Sequence, residues 1–140
     1  MTVVDLYSSF RVEQLISPAR FQAVNSPFIS SGVAVRPCYQ TLIILSIGQL
    51  VGSSTLDVKL QECDTDSEDD DDWADVSGGA FAQYTSMFTD SVKLARLVST
   101  KRLKYIRVYC ETALANTHFA VTAVESISDS ANSTTPDLIL

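Results

Sequence analysis

The sequence predicts an all-β fold, an antiparallel β-sandwich or jelly-roll-like body of about seven to eight strands with flexible N- and C-terminal arms. Three observations carry this. Wherever a pattern is clear, apolar residues recur at every second position, the period of a strand with one wet face. β-branched residues crowd the apolar runs. Turn signals rich in Gly, Pro, Ser and Asn punctuate those runs, and no long helical pattern alternates with them as an α/β fold would require.

Residues 1–11 read as an N-terminal arm, 12–125 as the sandwich and 126–140 as an extended tail. Val12-Glu13-Gln14-Leu15-Ile16 is strand-like and is expected to stop at Ser17-Pro18. Asn25-Ser26-Pro27 and Ser30-Ser31-Gly32 are turn signals, with Val33-Ala34-Val35 between the second and Pro37. Thr41 to Ile47 is continuously apolar and β-branched, which predicts a strand buried on both faces and ended by Gly48. Val51-Gly52-Ser53-Ser54 is a tight connection. In the next strand Leu56, Val58 and Leu60 alternate with Asp57, Lys59 and Gln61.

Trp73 and Val76 bring the chain back into the fold before the Ser77-Gly78-Gly79 break. Phe81, Tyr84 and Phe88 lie three and four apart, the spacing of one helical turn. Val92 to Val98 reads as a strand. Lys101 to Thr112 alternates most clearly: Lys104, Ile106, Val108 and Cys110 face one way, and Leu103, Tyr105, Arg107, Tyr109 and Glu111 the other. Phe119 to Val124 closes the set. The tail is polar until Leu138-Ile139-Leu140.

The formal charge of −7 is local rather than general. Between Glu62 and Asp75 stand nine of the 17 acidic residues and no basic one; the rest of the chain carries a net +2. A core cannot absorb such a run, since unpaired buried carboxylates cost several kcal/mol each or take up protons. The run must lie in solvent or against something positive. The absence of a dominant basic face argues against nucleic-acid binding. No apolar stretch approaches the roughly 20 residues of a membrane helix, and Met1 to Asp5 lacks the features of a signal peptide. A soluble chain without membrane contact is expected. Cys38, Cys63 and Cys110 have no metal-ligand spacing, and reduced thiols are expected.

Few residues are candidates for chemistry. His118 is the single histidine and has no nucleophile motif beside it, and no glycine-rich phosphate loop exists. No enzyme activity and no cofactor are expected. Asp64, Asp66, Glu68, Asp70, Asp72 and Asp75 superficially match a calcium loop. However, Asp69 stands where glycine is needed, Asp75 where a longer bidentate Glu is usual, and no helices flank the loop. As a divalent site the six are a weak candidate, against a solvated loop whose charges repel, or one docked on a basic neighbour through Asp69, Asp70, Asp71 and Asp72. Tyr105, Arg107 and Tyr109 share one strand face and have the chemistry of interface anchors, or of ordinary sheet packing. Leu138, Ile139 and Leu140 form a candidate terminal anchor.

An ordered set of motifs adds to this reading. It comprises Ile47-Gly48, then Leu56 to Asp64 (LDVKLQECD), then Trp73-Ala74-Asp75-Val76, then Lys101 to Val108 (KRLKYIRV). Over roughly residues 40–125 the chain resembles small structural proteins of tailed bacteriophages, of the head decoration or cement type. Its acidic loop is longer than theirs, and Leu103-Lys104 interrupts their Lys-Arg-Tyr run. The resemblance implies a virion component, made in the host cytoplasm, that binds the outside of the capsid lattice. Its partners would be the major capsid protein and its own copies, as a dimer or trimer. A tail or head-completion component, and a calcium-dependent binding module, are the rival expectations.

Overall fold

The computed structural model describes residues 10–21, 27–35, 40–85, 90–98 and 102–126. They form ten strands: β1 (Phe10–Phe21), β2 (Phe28–Ile29), β3 (Val33–Ala34), β4 (Gln40–Leu50), β5 (Thr55–Cys63), β6 (Ala74–Ala80), β7 (Tyr84–Thr85), β8 (Ser91–Val98), β9 (Tyr105–Ala113) and β10 (Thr117–Ser126). Every pairing is antiparallel. The first sheet runs β1-β10-β4-β8; the second runs β2-β9-β5-β6, with β3 also on β9 and β7 on β5. The sandwich expected from the alternation is therefore what forms. Among the described residues no helix is long and apolar enough to cross a membrane.

The core lies between the sheets because each strand turns alternate residues inward. Ile43, Leu45, Ile47, Phe119 and Val121 come from the first sheet, and Leu56, Val58, Leu60, Ile106, Val108 and Cys110 from the second; all are buried. The face assignment along β9 holds: Ile106, Val108 and Cys110 point in, and Tyr105, Arg107, Tyr109 and Glu111 point out.

Two expectations about strands need correction. The first strand does not stop at Ser17-Pro18 but continues to Phe21. Its register against β10 jumps between Ile16↔Val121 and Ala19↔Phe119, so Ser17 and Pro18 form a bulge. Because β1 is an edge strand and bulged there, the N–H that proline lacks is not needed by the ladder. The second correction concerns β4, which is not buried on both faces. Thr41, Ile43, Leu45 and Ile47 are buried, whereas Leu42 and Ile44 are half-buried and Ser46 is exposed. The run is apolar on the outside as well, without a layer of described residues over it.

Tyr84 pairs in β7 with Leu56 and is buried, so of the two conformations that the ambiguous spacing left open the backbone there is extended. Phe88 lies outside the described residues. The first sheet also buries a charge that the alternation hides. Glu125 sits in the inward phase after Val121 and Ala123 and is fully buried. Its carboxylate accepts from the guanidinium of Arg11, which also donates to the Ala34 carbonyl (3.1 Å). Arg11, at the end of the expected arm, thus belongs to β1 and stitches the two sheets together.

Candidate functional site

β5 and β6 carry the acidic segment between them, and its own side chains fold it. Asp and Ser favour loops because their oxygens bond backbone N–H groups two residues on. Here Ser67 Oγ accepts from the Asp69 N–H (3.1 Å) and Asp69 Oδ1 from the Asp71 N–H (3.0 Å). Residues Asp70–Asp72 make one 3₁₀ turn capped by Asp69. The Ser67 hydroxyl also donates to the Asp72 carboxylate, and Trp73 Nε1 donates to the Ser67 carbonyl (3.0 Å). Serine, at the centre of an acidic run, organises it.

Arg107 fastens the loop to the sheet. It occupies an outward position of β9 yet is only 5% exposed, because the loop folds over it. Nε donates to Gln61 Oε1 (2.9 Å) and Nη1 to Asp70 Oδ1 (2.7 Å), while the guanidinium lies 4.6 Å from the Trp73 ring centre. The Asp70 side chain is 67% exposed, so solvent screens that ion pair. The better-sheltered contacts to Gln61 and Trp73 contribute more of the attachment.

The network continues across the outer face of the second sheet. Gln61 Nε2 donates to Asp75 Oδ1 (2.8 Å) and Lys59 Nζ to Asp75 Oδ2 (2.9 Å). The Gln61 bond first, and then Lys59, hold the Asp75 carboxyl below its ordinary pKa. Lys59 Nζ also lies 4.6 Å from the Tyr109 ring centre, and the Tyr109 hydroxyl donates to Glu111 (2.8 Å). That bond to a carboxylate raises the Tyr109 pKa. Tyr105 is half-buried on the same face. Glu62 accepts from the Leu103 N–H (3.1 Å) and pairs with Arg102 (3.6 Å).

The six acids of the calcium-like spacing do not converge. Asp70 turns to Arg107, Asp72 to Ser67, and Asp75 to Lys59 and Gln61. Among the described residues no group of three or more His, Cys, Asp or Glu side chains is arranged to hold a metal ion. A cavity of about 400 Å³ opens beside Arg107, bounded by Ser30, Gly32, Asp66, Glu68 and Trp73. Gly32 packs closely there: a Cβ would stand 2.4 Å from Asp66 Oδ1, the end of a flexible side chain, and 2.9 Å from Trp73 Cη2, so both would have to shift.

Other candidates lie elsewhere. His118 Nδ1 is 3.2 Å from the Gln49 carbonyl, on the outer face of the first sheet. Cys63 and Cys110 are free and buried, and burial pushes the Cys110 thiol up to about 12. Cys38, Lys101, Leu138, Ile139 and Leu140 lie outside the described residues. Sequence reasoning missed Gln61, Ser67 and Gly32 as parts of the loop's seat. Gln61 was legible only in part, as the one uncharged polar residue alternating with Asp57 and Lys59. What remains exposed is a cluster of carboxylates that includes Asp64, Glu68, Asp69 and Asp71.

No protein-family model and no curated protein matches the chain. Solved structures do match. A chain in the structure of infectious bursal disease virus Gx strain superposes with a TM-score of 0.50 at 8% identity, covering 84% of this chain and 32% of that one. The likeness is one of fold. A chain of the T13 IBDV viral particle gives 0.48 at 10% identity, with 84% and 31% covered. One from the Gt strain gives 0.45 at 10% identity, with 84% and 32% covered. The present chain spans about a third of the length of each, and the two lower scores carry no argument.

Proposed function

We propose that this chain is a non-enzymatic structural protein of a virion, acting through the surfaces it offers its neighbours. The observation that carries the reading is the two-sheet sandwich itself, which matches over 84% of its length a chain from a virus structure. The finer reading is that of a tailed-phage head decoration or cement protein on the outer capsid lattice. It rests on the ordered motifs from Ile47 to Val108 and on a surface built for contact. The partner is then the major capsid protein, bound through Tyr105, Tyr109 and the exposed acids Asp69, Asp71 and Asp72. Repetition over a shell multiplies such weak contacts into firm attachment. Arg107 serves that surface from beneath by fixing the loop, and Leu138-Ile139-Leu140 is proposed as an anchor. Quantitative mass spectrometry of purified particles tests the reading: many copies in proportion to the capsid protein are expected, and absence from particles contradicts it. A few copies per particle would instead indicate a tail or head-completion component.

A further inference from the structure

The two outer faces of the sandwich differ in kind. That of the second sheet is charged, bearing Asp57, Lys59, Asp75, Glu111 and the acidic loop. That of the first sheet carries exposed apolar residues interspersed with Gln14, Thr122, Ser46 and Arg96, and none of the acidic run. Val12 on β1 is 64% exposed, and Val92 and Leu94 on β8 are each 61% exposed; Val124, Leu42 and Ile44 lie half-buried between them. Such a span on a soluble chain marks an interaction surface. At one end of this face a groove of about 700 Å³ crosses the sheet, bounded by Arg20 on β1 and by Asp90 beside β8.

We infer that this face packs against the same face of a second copy. The charge distribution selects that occupant. With a net charge of −7, two copies repel in most orientations, but the carboxylates of residues 62–75 all lie on or beside the second sheet. Packing first sheet to first sheet keeps those clusters apart by the thickness of both sandwiches, beyond the roughly 8 Å range of electrostatics at physiological salt. The face is also self-complementary. Arg20 pairs in register with His118, which lies against Gly48, and Asp90 adjoins Ser91, the partner of Ile47. Arg20 and Asp90 therefore close the same cross-strand row at opposite edges.

A two-fold axis lying between the faces, parallel to the strands, sets β1 over the partner's β8. Arg20 of each copy then meets Asp90 of the other, giving two symmetric ion pairs at opposite edges of one end of the interface, with the sheets at the usual stacking distance of about 10 Å. Arg20 can also reach the Asn116 amide oxygen within its own chain, which holds its guanidinium at this edge. The row at the other end places Val12 over the aliphatic stem of Arg96.

This inference rests on the proposed function only in taking the chain as a unit of assembly, and it is tested apart from any particle. Sedimentation equilibrium of the purified chain is expected to show a dimer, and Leu94→Lys to shift it to monomer with an unchanged melting temperature. Arg20→Glu alone and Asp90→Lys alone are each expected to weaken the dimer at least tenfold by placing like charges together. An equimolar mixture of the two variants regains it, because every facing pair is then opposite in sign. A monomeric wild-type chain, or a dimer indifferent to Leu94→Lys, overturns the inference, as does a mixture no tighter than the single variants. A dimer in a chain absent from particles leaves this inference standing and removes the proposed function; a monomer abundant in particles does the reverse.

Discussion

Arg107 shows how one side chain can be both buried and outward-facing. Its strand position points to solvent, and a loop brought over it by Asp70 and Trp73 supplies the burial. Arg107→Ala leaves Gln61 Oε1 without its donor and Trp73 without its cation. A loss of about 1–3 kcal/mol is expected by chemical denaturation, with faster proteolysis inside residues 64–72. An unchanged digestion rate would show that the loop holds itself. Gly32→Ala should act on the same seat, because the indole that a Cβ would strike is fixed by its bond to Ser67. Leu114 differs in kind: it is an exposed non-glycine residue at φ 69 in the β9–β10 connection. Leu114→Gly is expected to stabilise the chain by about 1 kcal/mol, read as a raised melting temperature. Cys110, with its thiol pKa raised to about 12 by burial, should resist alkylation at pH 8 until the sandwich unfolds.

At the scale of elements, the acidic segment is a structured turn whose carboxylates divide between internal bonds and solvent. Asp69, Asp71 and Asp72 changed together to Asn remove charge while keeping oxygens that can cap the turn. Under the proposed function, the expected result is weaker retention on capsids with little change in melting temperature. Full retention would show that the loop faces away from the lattice. The Lys59–Asp75–Gln61 cluster sets a pH dependence on this sheet. The Asp75 pKa is depressed in the folded chain, so its contribution is present above the ordinary carboxylate value of about 4. It is lost as pH falls through the folded value, and Asp75→Asn should flatten that part of the acid unfolding curve. The strands themselves were legible because β5, β9 and β10 alternate inward and outward residues one for one. What was not legible has physical causes. A bulge let β1 pass Pro18, and an apolar outer face made β4 look buried on both sides. The Arg11–Glu125 pair and the Arg107 latch depend on residues far apart in the chain, which no local pattern encodes.

At the scale of the whole molecule, the two outer faces differ in their chemistry. One sheet carries a charged surface with an acidic loop pinned to it, and the other a mixed surface with exposed Val12, Val92 and Leu94, and with Arg20 and Asp90 at its margin. The chemistry-bearing residues do not assemble: His118, Cys63, Cys110 and the acids stand apart among the described residues. Under the proposed function such a unit would act by contact, and its effect would grow with the number of copies held in register. The most direct test is the copy number of this chain in purified particles, set against that of the major capsid protein. A decoration protein is expected at a fixed stoichiometric ratio to the capsid lattice, lost when the exposed acids and tyrosines are replaced. Finding the chain only in the infected-cell lysate, and never in the particle, would contradict it.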